Sequence, residues 1–180
     1  AYESRATSSV SGKVAAAYRL RSQTALRASV GTAFRNPSVF ELYRDVRFTS
    51  GLLLLGNPFV DPERMRSWEA GVHHSKGTAM QVDAAYFVND IRDLIYRTTD
   101  FAADPGGQLR RLVNAGRGRT RGLELSGSLR PRRWLTLNSS YTFNDARISE
   151  NVFLPETEGK QIPYVPRHTA SLSAATNVGR

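Results

Sequence analysis

The chain has 180 residues, room for one ordinary domain, and no cysteine, which excludes a disulfide framework and a thiolate metal site. Its net charge is +9, and because Lys13, Lys76 and Lys160 are the only lysines, 22 of the 25 basic residues are arginine. No apolar run approaches the roughly 18 residues of a membrane helix, although a membrane-crossing β-strand of about 9–11 residues is not excluded.

The opening Ala1-Tyr2-Glu3-Ser4-Arg5 has no apolar signal segment, so the sequence is expected to begin inside a longer protein. From there the chain alternates with period two, as strands with unlike faces do. Val10, Val14, Ala16, Tyr18 and Leu20 oppose Ser11, Lys13, Ala15, Ala17 and Arg19. Leu26, Ala28 and Val30 oppose Arg27, Ser29 and Gly31. Ser38 to Tyr43 fits one short helical turn. Trp68, Ala70 and Val72 oppose Glu69, Gly71 and His73; Met80, Val82, Ala84, Tyr86 and Val88 oppose Gln81, Asp83, Ala85, Phe87 and Asn89. Leu123, Leu125 and Leu129 then oppose Gly122, Glu124, Ser126 and Ser128. Leu135, Leu137, Tyr141 and Phe143 oppose Thr136, Asn138, Ser140, Thr142 and Asn144, and a last strand sets Ala170, Leu172 and Ala174 against Thr169, Ser171 and Ser173.

The pattern predicts an all-β fold, an antiparallel meander of about seven strands of roughly ten residues, longer than the usual five or six. Short connections are expected near 20–23, 75–78 and 130–133, and long ones near 35–64, 99–112 and 147–163. Short turns on one rim and long loops on the other is the build of an outer-membrane barrel. Tyr and Trp near strand ends agree with interfacial girdles, or with plain β-propensity. A soluble β-sandwich, an adhesion or carbohydrate-binding module, is the alternative from another class; strand length and the short–long rhythm count against it. Seven strands do not close a membrane barrel, so the piece is expected to be unstable alone in lipid.

His73 and His74 are adjacent and so face opposite sides of a strand, which prevents joint chelation. Neither a Ser/His/Asp order nor a His-Glu-x-x-His spacing appears, and no metal site is expected. Gly116-Arg117-Gly118 lacks the spacing and helix of a phosphate loop and reads as the start of a strand. Arg27, Glu69, Asp83 and Glu124 read as a wet, charge-balanced wall on the interior of a barrel rather than as catalytic acids. Arg44, Arg47, Phe48, Phe101, Arg110 and Arg111 fall in the long loops, where arginine beside aromatic rings suits an anionic, partly apolar ligand. Solvated loop charge is the competing reading, and the residues alone favour it. No nucleic-acid-binding pattern appears.

Five segments carry a family resemblance. They are Phe34-Arg35-Asn36-Pro37 with Glu41-Leu42-Tyr43; Gly56-Asn57-Pro58-Phe59-Val60-Asp61-Pro62-Glu63 with Trp68-Glu69-Ala70-Gly71-Val72; Ala85 to Ile95; Asn114 to Glu124; and Tyr141 to Ala146 with Gly159 to His168. In this order and spacing the chain resembles TonB-dependent outer-membrane receptors. The resemblance implies that residues 1–180 are a partial, later stretch of a transmembrane 22-stranded β-barrel, with the plug, early strands and last strands absent. It implies outer-membrane location, no enzyme activity, no cofactor, and energised uptake of a scarce nutrient. A ferric siderophore is the expected ligand, with cobalamin or another nutrient as the alternative; the lack of a histidine between Pro37 and Asn57 argues against haem ligation there. Further implied partners are the TonB complex through the absent plug, and outer-membrane lipid and lipopolysaccharide. Arg27, Glu69, Asp83 and Glu124 would then face the plug.

Overall fold

The computed structural model describes residues 8–177. Alternating apolar and polar residues form β1 (Lys13–Arg21), β2 (Thr24–Arg35), β5 (Glu63–Lys76), β6 (Met80–Thr99), β7 (Leu109–Arg132), β8 (Leu135–Asn151) and β9 (His168–Thr176). The connection between β2 and β5 carries the short helix α1 (Val39–Tyr43) and two small strands, β3 (Val46–Arg47) and β4 (Leu53–Leu55). The seven long strands pair as an antiparallel meander, β1-β2-β5-β6-β7-β8-β9.

Register keeps the two faces separate across the sheet. Tyr18, Leu26, Val72, Ala84, Leu125, Tyr141 and Ala170 form one continuous row on the apolar face. The neighbouring row, Ala17, Arg27, Gly71, Ala85, Glu124, Thr142 and Thr169, lies on the polar face. A one-residue slip anywhere would exchange the faces, so the alternation itself fixes the pairing. Large apolar side chains stay open on the apolar face, Val14 at 70% and Leu172 at 78% exposed. A sandwich would have covered that face with a second sheet; among the described residues every strand belongs to one sheet.

Several expectations are corrected. The first strand starts at Lys13 rather than Val10, and β6, β7 and β8 have 20, 24 and 17 residues rather than about ten. They outrun the alternating stretches because the hairpins continue past register shifts. One lies between Ile91 and Ile95 of β6, where Asp93 takes φ 58°, and another lies between Arg117 and Gly118 of β7. Such bulges add residues and break the period-two signal. The long connections shrink accordingly to 36–62, 100–108 and 152–167. Gly116 to Gly118 therefore sits inside β7, not at its start.

Two glycines are required by close approach. A Cβ on Gly122 would press on the Phe143 carbonyl oxygen and lie 2.6 Å from the Phe87 ring. One on Gly71 would lie 2.7 Å from the Ala84 carbonyl oxygen and 2.9 Å from Arg27 Nε. Side chains from the neighbouring strands occupy the space that each glycine leaves.

Candidate functional site

All three long connections lie at one end of the sheet and are tied to the start of β7. The first is anchored by charge. Arg35, the last residue of β2, donates to Glu63 at the start of β5 (2.7 Å) and to Glu41 of α1 (3.0 and 3.1 Å). Ser38 caps α1, with the Glu41 amide donating to Ser38 Oγ and the Ser38 amide donating back to the Glu41 carboxylate. Beyond it, β3 and β4 form a small ribbon, and β4 adds in parallel to Leu109–Arg111 of β7. There β6 already holds one edge of β7, so β4 takes the edge that β8 occupies farther along.

The return to β5 is clamped by side-chain amides. Asn57 Nδ2 donates to the Leu112 carbonyl (2.8 Å). Asn114 Oδ1 accepts from the Asp61 amide (2.6 Å), and its Nδ2 donates to the Asp61 and Asp93 carbonyls (2.9 and 2.7 Å). Leu54, Val60, Leu112 and Ala115 are buried beneath this crossing.

The second connection folds on two carboxylates. Asp104 accepts from the amides of Gly106, Gln108 and Leu109, and Asp100 accepts from the Ala103 amide while pairing with Arg111 at 2.8 Å. The third connection turns on Asn151, which is only 1% exposed. Its Oδ1 accepts from the Phe153 and Leu154 amides, its Nδ2 donates to Thr157 Oγ1, and the Val152 amide reaches the Ala115 carbonyl.

Where the second and third connections meet β6 and β7 they leave a cavity of about 630 Å³, lined among others by Arg97, Phe101, Arg110, Arg111, Phe153 and Leu154. Asp100 neutralises Arg111, whereas Arg97 and Arg110 have no ion pair among the described residues. Two aromatic rings and two uncompensated guanidinium groups suit an anion with apolar parts. No histidine or methionine lines it.

Of the six loop residues expected from sequence, Phe101, Arg110 and Arg111 are brought together in this cavity. Arg44, Arg47 and Phe48 stand in the first connection and do not line it; Arg44 stacks 4.6 Å over the Phe40 ring. Arg27, Glu69, Asp83 and Glu124 all lie on the polar face. Arg27 stretches over Gly71 to Glu69 (3.5 Å) and Asp83 (3.8 Å), and His73 Nδ1 meets Asp83 at 3.1 Å. Arg97, Phe153 and Leu154 were not expected. The apolar triplet Val152-Phe153-Leu154, between a turn-forming Asn151 and Pro155, was the available signal.

A one-sheet meander with an uncovered apolar face and all its long loops at one end is an opened barrel wall. The family profile of the TonB dependent receptor-like β-barrel matches residues 1–179. The chain belongs to that family. It is a segment of an outer-membrane receptor barrel, in a family of transporters rather than enzymes. The chain is 29% identical over 161 residues to the iron-regulated outer membrane virulence protein of Vibrio cholerae, a match that covers 84% of this chain and 24% of that protein. Among solved structures it resembles the Serratia marcescens hemophore receptor HasR in complex with its hemophore HasA and heme. There the TM-score is 0.75 at 19% identity, over 94% of this chain and 30% of that one. It also resembles the siderophore receptor PirA of Pseudomonas aeruginosa (TM-score 0.66, 19% identity, 78% and 28% covered). A further likeness is to the ferric yersiniabactin uptake receptor FyuA of Yersinia pestis (TM-score 0.65, 16% identity, 93% and 23% covered). The receptor segment thus spans about a quarter of the length of these relatives.

Proposed function

We propose that the segment is the ligand-collecting side of a receptor that imports a ferric siderophore. The long-loop end faces outward, the apolar face meets lipid, and the polar face with Arg27, Glu69, Asp83 and Glu124 lines the interior against a plug domain. Energy would come from the TonB complex acting on that plug. The observation that carries the ligand class is the cavity at the loop end, with Arg97 and Arg110 unneutralised beside Phe101 and Phe153. An iron chelate with acidic donors offers negative charge to the guanidinium forks and flat apolar surface to the rings. The lack of histidine and methionine in the lining favours such a chelate over heme or copper.

The test uses the complete receptor and a panel of anionic and neutral ferric chelates, with affinity read by tryptophan quenching. Removing one charge-assisted hydrogen bond costs about 1.5 kcal/mol, roughly tenfold in Kd. Arg97→Ala and Arg110→Ala are each expected to weaken anionic chelates by about that factor and to leave neutral ones unchanged. Equal affinity of both variants and the parent for every anionic chelate would overturn the assignment.

A further inference from the structure

The ladder between β6 and β7 is interrupted on its way to the loop end. Ile91 pairs with Gly118, Leu94 with Gly116 and Ile95 with Asn114. An extra residue on β6 is thus followed at once by one on β7, and the two shifts cancel. Tyr96 to Thr99 face Val113 to Arg110 in the same register that Met80 to Ile91 keep with Leu129 to Gly118. Bulges bend the strands that carry them. Leu94–Thr99 and Arg110–Gly116 therefore form a short arm whose direction is set at the interruption, and this arm brings Arg97, Arg110 and Arg111 to the loop cavity.

The interruption is held from both neighbouring strands. From β7, Asn114 Nδ2 donates to the carbonyl of Asp93, the residue with φ 58°. From β5, Glu63 Oε1 accepts from the Ile95 amide (3.0 Å) while Oε2 accepts from Arg35 Nε (2.7 Å). Pairing of β5 with β6 stops at Arg64 and Arg92, so the Glu63 carboxylate reaches β6 where, among the described residues, no strand lies along that edge. The Glu63 side chain is only 15% exposed, and Arg35 balances its charge. A hydrogen bond to such a charged acceptor is roughly twice as strong as a neutral one.

The three arginines of the arm are not tied alike. Arg110 and Arg111 lie where β4 pairs with β7, and Asp100 binds Arg111 at 2.8 Å. Arg97 stands two residues beyond Ile95 on the same face of β6 and has no ion pair among the described residues. Its strand rests on the β7 ladder along one edge and on Glu63, through Ile95, along the other. Binding groups must be held within about 0.5 Å of the productive geometry.

We propose that Glu63 is the positioning residue for Arg97 in the capture of an anionic ferric chelate. Glu63 touches no ligand; its bond to the Ile95 amide fixes the bend of β6 that aims the Arg97 guanidinium into the cavity. Through Arg35, which also binds Glu41, the same carboxylate ties that aim to the first connection. The role rests on the reading of the cavity as the chelate site.

The test is a double-mutant cycle on the complete receptor, with affinity for a ferric tris-catecholate, a trianion, read by tryptophan quenching and amide exchange followed on the same proteins. Glu63→Ala is expected to weaken binding roughly fivefold, and to add less than about twofold in an Arg97→Ala background. Protection of the Ile95 amide is expected to fall in Glu63→Ala. Glu63→Gln keeps an acceptor within reach of that amide, so it is expected to retain the protection and to bind within about twofold of the parent. It also guards against a folding artefact, with heat-modifiable migration as the fold check. Removing a negative charge near an anion site would by itself strengthen binding. Tighter binding by Glu63→Ala, or unchanged Ile95 protection in it, would therefore overturn the role. Two further outcomes separate the role from the reading beneath it. If Arg97→Ala weakens binding but the full loss from Glu63→Ala persists beside it, the positioning role alone is removed. If Arg97→Ala leaves binding unchanged, the chelate reading and the role are removed together.

Discussion

Asn114→Ala should loosen the crossing of the first connection without touching the barrel wall. Asn114 makes three hydrogen bonds, to the Asp61 amide, the Asp61 carbonyl and the Asp93 carbonyl, at 2.6, 2.9 and 2.7 Å. A net hydrogen bond is worth about 1 kcal/mol, and water reaches these partners once the amide is gone. The cost is therefore about 2 kcal/mol rather than 3, or roughly thirtyfold in a local opening constant. The loss is local because the β6–β7 register continues on both sides of the site. Hydrogen exchange on the complete receptor reads it directly. Protection at Asp61 and at Leu53–Leu55 should drop by about thirtyfold, while Leu123 to Leu129 in β7 keep theirs. Asn114→Asp retains the acceptor and loses both donors, so it should fall between parent and Ala. Unchanged protection at Asp61 in Asn114→Ala would refute the clamp.

Further outcomes follow from the two faces and the anchors. Leu125→Arg, in the middle of the apolar face, should destabilise the folded receptor by about 2–4 kcal/mol in lipid, whereas Ser126→Arg one residue on should cost far less, as read by urea titration in vesicles. Gly71→Val should cost about 1–3 kcal/mol in the same titration, because its side chain meets the Ala84 carbonyl and the Arg27 guanidinium. Burial raises the Glu41 pKa, but the bonds from Arg35 and Ser38 outweigh it and hold the carboxyl below its ordinary 4.5. With the folded value depressed, its stabilisation of α1 is complete above about pH 4.5 and lost as pH falls through the lowered value, so protection of the Ser38 and Glu41 amides should collapse only in acid. The 180-residue piece should fail to refold cooperatively as a monomer in micelles, since its outer strands leave unpaired edges.

The meander was legible because burial on one face only writes itself as period two: Leu123, Leu125 and Leu129 against Glu124, Ser126 and Ser128 needs no context. The short helical turn expected over Ser38 to Tyr43 was equally local, and α1 forms there behind its Ser38–Glu41 capping box. The upper halves of β6 and β7 were not legible. The bulge at Asp93 shifts the period there, and Arg97, Arg110 and Arg111 give strand and loop the same appearance. The parallel pairing of β4 with β7 joins Leu54 to Arg110 across 56 positions in the sequence, through three residues too short to carry a pattern. For the same reason Phe101, Arg110 and Arg111 were found as types of residue. Their convergence with Arg97 and Phe153 depends on how Asp104 and Asn151 fold two separate loops, which no spacing encodes. Arg119 and Arg121 were read only as part of the segment from Asn114 to Glu124, and register places them on the apolar face with Leu123 and Leu125.

Labelling of cysteines placed at the two ends of the sheet tests the account most directly. In a cysteine-free form of the complete receptor on intact cells, Phe101→Cys should react with a membrane-impermeant maleimide and be protected by a saturating anionic ferric chelate. Ser22→Cys, at the turn between β1 and β2, should stay unlabelled until the outer membrane is opened. Labelling at position 22 on intact cells, or a position 101 thiol that stays unreactive or gains no protection from any ferric chelate, would contradict it.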